Sequence, residues 1–381
     1  MTGRLSRGDV PCRIGSRDAR IQLAHGLAGA TFGAMRGILF ILVCGFAALA
    51  APGCGGSIDQ PFDMAYLTYG RPDYPMGTLV HVQHDKDGWK TVGEAELSKD
   101  AVLLNNPPYR TGILPFISVV EATGSKTTSY WQWPQAEGKT PSYDFPITDR
   151  VVVISVDNAA GTEALLCYFA ADHINMKRLE YDRYAVTLGA NARCSLAVLR
   201  YDAPDSLEII GSCQYARPSW LSDGRIAYVS RGGDLVAYDR DSAAATELVA
   251  QVGSFSVGAN GTLCAKEKVG LVTMFDAAGN RQGESIKSGS VPMLSPDGRY
   301  LAYRTADNDL WIRELGTGEE RAVGLGDPRN WSANSELLLF SERRRGDKGL
   351  VYTLFSVAEA ASGKAVALPE DGFIVDAVLF P

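Results

Sequence analysis

From residue 216 to residue 345 the chain alternates short apolar runs with tight polar breaks. Val291-Pro292-Met293-Leu294-Ser295-Pro296-Asp297-Gly298-Arg299-Tyr300-Leu301-Ala302-Tyr303 reads as strand, turn, strand. Pro296 pre-sets a turn backbone, Asp297 offers a side-chain acceptor, and Gly298 tolerates the positive angle a tight turn needs. The run after it is short, aromatic and bounded, as a buried strand should be. Ala306-Asp307-Asn308-Asp309 breaks the pattern, Leu310-Trp311-Ile312 resumes it, and Gly316-Thr317-Gly318 turns the chain before Arg321-Ala322-Val323. This predicts one four-stranded antiparallel unit.

The unit repeats. Asp223-Gly224, Asn260-Gly261, Asp297-Gly298, Asn334-Ser335 and Asp371-Gly372 fall at equal intervals of 37 residues. Pro218-Ser219-Trp220-Leu221-Ser222 aligns with Pro292-Met293-Leu294-Ser295-Pro296, and Trp331 takes the place of Trp220. A self-similar period of this length with four strands in each copy indicates an all-β propeller of four-stranded blades. Earlier strands are less regular: Tyr66–Tyr69, Thr78–Gln83, Lys90–Val92, Ala101–Leu104, Ile113–Val120 and Thr127–Trp133 come first. Pro134–Pro146 reads as a surface loop. Val151–Ser155 with Ala164–Phe169, and Tyr184–Leu188 with Ser195–Tyr201, read as two further pairs. Counting second strands gives eight blades, with seven as the alternative. Phe373–Phe380 is apolar, alternates with Asp376 and has no partner strand after it, so it is expected to return to the first unit and close the ring.

Leu294–Tyr303 followed by Asp309-Leu310-Trp311-Ile312 resembles the WD40-like PD40 repeat of TolB-type propellers, and Trp220–Tyr228 resembles it less closely. The resemblance is strong over 216–345 and weak over 60–180. It implies a propeller that binds envelope proteins through loops at one end of the ring. The chain departs from TolB in having no room for an extra N-terminal α/β domain. Related propellers also include polysaccharide lyases with a metal held by His and Gln, which is the alternative function.

Residues 37–51 are the longest apolar run, too short for a membrane span and suited to a signal-peptide core. Ala51-Pro52-Gly53-Cys54 follows it and resembles a bacterial lipobox, with Ala51 where a larger aliphatic residue is usual. The expected organisation is a leader over 1–53, a lipidated Cys54 with a flexible tether to residue 60, and the propeller over 61–381. Met35 is an alternative start, because residues 1–34 are long for the charged region of a signal. Lipidation of Cys54 implies a membrane-anchored protein of a bacterial envelope; Gly55 after the cysteine suggests the outer membrane. The net charge is −7, and the first 53 residues hold six Arg and two Asp, so the remainder is near −11. An acidic body argues against nucleic acid as a partner.

Candidate chemistry is sparse. No Gly-x-Ser-x-Gly elbow and no complete P-loop occur, since Gly138-Lys139-Thr140 has Trp133 where the loop needs Gly. Asp85-Lys86-Asp87-Gly88 fits a hairpin turn. His81 and His84 are three apart, which on a strand puts them on opposite faces, so they read as strand-end residues beside a solvated turn; His173 stands alone. Cys167, Cys194, Cys213 and Cys264 contain no C-x-x-C, so zinc is not expected. Cys194 and Cys213 suit a disulfide in an oxidising compartment, or all four are small buried strand residues. Arg343-Arg344-Arg345-Gly346-Asp347, read as a hairpin loop, and Trp131 with Trp133, beside a polar loop, are the candidate partner contacts. The turn residues Asp223, Gly224, Asn260, Gly261, Asp297, Gly298 and Asn334 are structural. These readings point to a monomeric, cofactor-free binding scaffold and not to an enzyme.

Overall fold

A computed structural model describes residues 58–68, 78–96, 114–122, 125–133, 143–144, 150–158, 160, 162–170, 174–178, 184–188, 193–203, 206–214, 216–258, 260–267, 270–287, 289–345, 351–368 and 374–379. Every described element is a strand, and all belong to the unit Ala50–Pro381. The first sheet contains β1 (Phe62–Thr68), β2 (Thr78–Asp85) and β3 (Gly88–Glu96). The second contains β4 (Leu114–Ala122), β5 (Ser125–Trp133) and β6 (Tyr143–Asp144). Next come β7 (Arg150–Asp157), β8 (Glu163–Ala170), β9 (Ile174–Arg178), β10 (Tyr184–Leu188), β11 (Cys194–Arg200) and β12 (Leu207–Cys213).

Four regular sheets follow: β13 (Ser219–Trp220), β14 (Ile226–Val229), β15 (Leu235–Asp239), β16 (Ala244–Val249); then β17 (Val252–Val257), β18 (Leu263–Glu267), β19 (Leu271–Phe275), β20 (Arg281–Lys287). They continue with β21 (Ser290–Leu294), β22 (Tyr300–Arg304), β23 (Asp309–Glu314), β24 (Glu320–Leu325), and with β25 (Asp327–Trp331), β26 (Leu337–Arg345), β27 (Val351–Glu359), β28 (Ala365–Ala367). The last strand is β29 (Ile374–Leu379).

The predicted period is present in the turns. Gly224, Gly261, Gly298 and Ser335 have φ of 85°, 78°, 73° and 65°. In each turn the preceding Asp or Asn accepts, on its side-chain oxygen, the backbone N–H two residues on: Arg225, Thr262, Arg299 and Glu336. The turns also reach from one sheet to the next. The Asp297 N–H donates to the Ser335 Oγ at 3.0 Å, and a Cβ on Gly298 would lie 3.3 Å from the Asn260 side chain. The tryptophans explain the second periodic signal. The Trp220 indole N–H donates to the Val156 carbonyl and that of Trp331 to the Met293 carbonyl, so each ties its sheet to the innermost strand of the sheet before it. Residue Asp371-Gly372, the last node of the period, lies outside the described residues.

In the four regular sheets the second strands are buried at consecutive positions, so they are covered on both faces. β14 is buried at all four positions, whereas the outermost β16 is largely exposed. The apolar layers run from sheet to sheet: Leu196 and Tyr228 share one, Ala227 and Phe255 the next, Leu301 and Val272 another, Ala302 and Trp331 another, and Leu339 and Met64 the last described.

The C-terminal strand closes the ring as expected. β29 takes the innermost place of the first sheet, antiparallel to β1, with Met64 opposite Leu379 and Tyr66 opposite Ala377. Ile374, Ala377, Val378 and Leu379 are all buried there. The fold is therefore an all-β propeller of antiparallel sheets.

The early part of the chain departs from the sequence expectation. Tyr184–Leu188 does not pair with Ser195–Tyr201; it forms a hairpin with β9, while β8 pairs directly with β11. The third sheet is thus β7, β8, β11 and β12, carrying an inserted hairpin. The described strands make six four-stranded sheets, one three-stranded sheet and this hairpin. Part of the expected surface loop 134–146 is also a strand, since Tyr143–Asp144 pairs with β5.

Candidate functional site

Strand direction alternates in each sheet, so the turns carrying Asp223, Asn260, Asp297 and Asn334 share one end of the ring with the turns that precede β16, β20, β24 and β28. The link from the second to the third strand lies at the opposite end. That geometry gives the chain two polar surfaces of different character.

At the first end, Glu208, Asp223, Gly224, Arg225, Asp239, Arg240 and Asp241 line an open cleft of about 770 Å3 between the third and fourth sheets. Arg240 is its central cation. It bonds Glu163 at 2.9 Å and Glu208 at 2.5 Å, and these carboxylates hold its guanidinium firmly charged. Arg225 bonds Asp223 at 2.7 Å, and this hydrogen bond holds the Asp223 carboxyl below the usual range. Both guanidiniums are therefore engaged, and carboxylates are in excess. The sequence reading missed this cleft because its residues come from hairpins in two sheets.

At the other end, β26 and β27 run nine residues each. The corresponding strands of the three preceding sheets run four to six. The extra length is a two-stranded ribbon in which Arg343, Arg344 and Arg345 pair with Thr353, Tyr352 and Val351. Leu337–Ser341 are buried and Arg343–Arg345 are exposed. The arginines are thus on a strand, not in the loop expected from sequence, because the strand pair continues past the core. Arg344 also bonds Glu342 at 2.9 Å. Gly346 and Asp347 lie outside the described residues. Trp131 and Trp133 are on β5, opposite Phe116 and Leu114, and their side chains lie outside the described residues. Cys54 and the leader lie outside them too.

The histidines differ from expectation. His84 is buried, stacked on Phe62 with centroids 5.1 Å apart and edge-on to Trp89 at 4.8 Å. Burial lowers its pKa, against the opposing charge of Asp85. His81 bonds Asp63 at 3.3 Å on the other face. Among the described residues no histidine-based metal set is assembled, and His173 lies outside them.

The larger departure concerns the cysteines. Cys167, Cys194 and Cys213 belong to one sheet. They lie on β8, β11 and β12, three adjacent strands of one sheet, with Cys194 directly opposite Cys213. Cys167 is two residues from Phe169, the partner of Cys194, so it shares that face. The three Sγ atoms lie within 4.8 Å of one another, and all three residues are buried thiols without a disulfide. Hydrogen bonding divides their acidities. The Cys167 thiol donates to the Ala216 carbonyl and the Cys194 thiol to the Ser195 carbonyl; the two neighbouring sulfurs hold the Cys213 thiol below the ordinary range, while the same close sulfurs, with burial, push Cys167 up. Cys264 sits alone in the next apolar layers, and burial pushes its thiol up. No spacing in the sequence signals the cluster, because cross-strand register assembles it.

No protein-family model matches the chain, and no curated protein matches it either. Solved structures do resemble it. One is a Bacteroides fragilis NCTC 9343 protein provisionally described as a 6-phosphogluconolactonase. It is 13% identical with a TM-score of 0.51, over 86% of this chain and 100% of that one. Another is a protein from Lactobacillus plantarum, 12% identical with a TM-score of 0.48, over 84% of this chain and 100% of that one. A third, from a study of two prolyl endopeptidases, is 14% identical with a TM-score of 0.44, over 75% of this chain and 42% of that one. The first likeness concerns the fold, and it corrects the reading of the chain as no enzyme. Lacking a nucleophile elbow and a P-loop excludes two kinds of site, while the fold itself is shared with a protein described as an enzyme.

Proposed function

We propose that the chain is a binding propeller of a bacterial envelope, similar in role to TolB-type propellers, anchored through lipid on Cys54 and presenting the β26–β27 ribbon to a protein partner. The observation that carries this reading is the ribbon itself. Its outer residues leave the apolar core, stay exposed and place three consecutive arginines at one end of the ring. An acidic partner surface is the natural complement, because exposed arginines on a rigid strand pair read carboxylates by bidentate hydrogen bonds. The remaining chain is acidic overall, so the ribbon is a local reversal of charge.

The test is a photo-crosslinking residue at Arg343 in cells, compared with the charge reversal R343E/R344E/R345E. Crosslinked partner should disappear in the reversal while the melting temperature stays unchanged. Crosslinking that ignores the reversal removes the ribbon as the contact. Cys54→Ala should abolish fatty-acid labelling; equal labelling of both proteins removes the anchor.

A second reading has the cleft around Arg240 in its favour, as an opening where carboxylates and guanidiniums surround a soluble substrate. Its excess of carboxylates suits a neutral sugar better than a phosphorylated one. Turnover of a sugar lactone by the purified protein, lost in Asp239→Asn, would favour this reading over the scaffold.

A further inference from the structure

We propose that Cys167, Cys194 and Cys213 form a three-sulfur site for a soft monovalent metal ion, copper(I), inside the propeller between the third and fourth sheets. Four observations converge on it. The three sulfurs lie within 4.8 Å of one another. A metal–sulfur bond of about 2.3 Å, the value for zinc thiolates, sets three trigonal sulfurs about 4 Å apart, so the arrangement needs only a small contraction. Secondly, the register makes the cluster rigid. β11 pairs with both β8 and β12, and the three side chains share one face. Thirdly, the surroundings are dry and apolar: Phe169, Leu196, Ile226 and Tyr228 pack in the same layer. Finally, among the described residues no histidine or carboxylate joins the three sulfurs.

The donor set decides the metal. Structural zinc takes four ligands, and three-ligand zinc keeps water in the fourth position. Here exposures of 0%, 4% and 6% for Cys167, Cys194 and Cys213 shut water out. The Ala216 carbonyl oxygen, 4.0 Å from the Cys167 Sγ, is a hard donor and does not complete a tetrahedron. Iron–sulfur clusters need four protein ligands as well. Thiolate softness selects copper(I) among the remaining ions, and three sulfurs satisfy it. Binding replaces thiol protons with the metal and releases them to solvent; copper stays copper(I), so no electron acceptor is needed.

The position gives the site a structural consequence. Cys213 ends β12, and its backbone bridges to Ser230 in the following sheet. Metal on Cys213 therefore fastens the chain where it crosses from one sheet to the next, and holds β8, β11 and that crossing together.

The full-length protein, purified without oxygen and fully reduced, is titrated with copper(I) against a coloured copper(I) chelator. One equivalent should be retained that Cys194→Ser and Cys213→Ser each lose by about 100-fold, while Cys264→Ala keeps it. Zinc(II) under the same conditions should be at least 100-fold weaker. X-ray absorption on the copper-loaded wild type should show a single shell of three sulfurs, a reading that needs no variant to fold. Copper should also raise the melting temperature of wild type and not of Cys194→Ser, as a ligand of the native state does. Retention that is equal in wild type and Cys194→Ser, a shell with nitrogen or oxygen, or preference for zinc overturns the proposal. So does mass spectrometry of the protein from cells finding Cys194 bonded to Cys213.

Discussion

Ser335 occupies the one described turn of the period where a residue other than glycine takes the left-handed conformation. Its φ is 65°, against 85°, 78° and 73° for Gly224, Gly261 and Gly298. A side chain in this region costs about 1–2 kcal/mol. Glycine would relieve that, at a conformational-entropy cost of about 0.5–1 kcal/mol in the unfolded chain. The serine also does something glycine cannot. Its Oγ accepts the Asp297 N–H at 3.0 Å, linking two sheets, and the residue is 1% exposed. Losing that acceptor removes a bond of about 1 kcal/mol net and leaves a donor short of a partner, which adds about 1 kcal/mol. Ser335→Gly should therefore lower stability by about 1 kcal/mol, and Ser335→Ala, which keeps the strain and loses the bond, by about 2 kcal/mol. Reversible denaturant unfolding of the three proteins measures both gaps. Ser335→Gly at or above wild type would refute the inter-sheet bond as a stabilising contact, and Ser335→Ala at or above Ser335→Gly would refute the strain.

Four further outcomes follow from the same geometry. Gly279→Ala would place a Cβ 2.4 Å from the Leu248 carbonyl oxygen at φ +86°, so it should cost about 2–3 kcal/mol or block folding, read by expression and melting. Trp331→Phe removes the indole bond to Met293 and opens space at a side chain with no exposure; a loss of about 2–3 kcal/mol is expected by unfolding, and a neutral result would dissolve the role given to the periodic tryptophans. Deleting residues 374–381 removes buried Ile374, Val378 and Leu379, each worth about 1.5–3 kcal/mol, and should aggregate the whole propeller; a soluble truncation with a wild-type melting point would contradict closure. The Asp223 carboxyl sits below its usual pKa through its hydrogen bond to Arg225, so its stabilisation is full above the unfolded value near pH 4 and lost as pH falls below it. Asp223→Asn should flatten that acid limb, and an unchanged limb would assign it elsewhere.

The fold was legible wherever each unit solved its turn by the same local chemistry. Asp297-Gly298 needs no knowledge of the rest of the chain to be a turn, and its copies at 223, 260 and 334 mark the sheets one by one. Closure was legible because Phe373–Phe380 reads as an apolar run with no partner after it in sequence. Legibility failed where the answer depended on pairing. The hairpin β9–β10 looks like any other strand pair, and the pairing of β8 with β11, Leu196 opposite Cys167 among its pairs, shows that β8 skips it. The same skip hides the thiol cluster, since residues 27 and 19 apart become neighbours across β11. The arginines were placed in a loop because three consecutive charges look unlike a strand. They follow a buried strand past the end of the core, where the backbone pairing persists and the apolar pattern stops.

The union of β1 with β29 also sets a clock. Met64 meets Leu379, so the innermost place of the first sheet stays vacant until β29 has been made. At roughly 5–20 residues per second the interval is about 15–60 s. Throughout it β1 offers an open apolar edge, the usual template for pairing with a second chain. The final strand of one molecule fits the vacancy in another as well as its own. A crowded, slowly completed population is then exposed to strand exchange, and fast elongation, or a chaperone over β1, lowers that exposure.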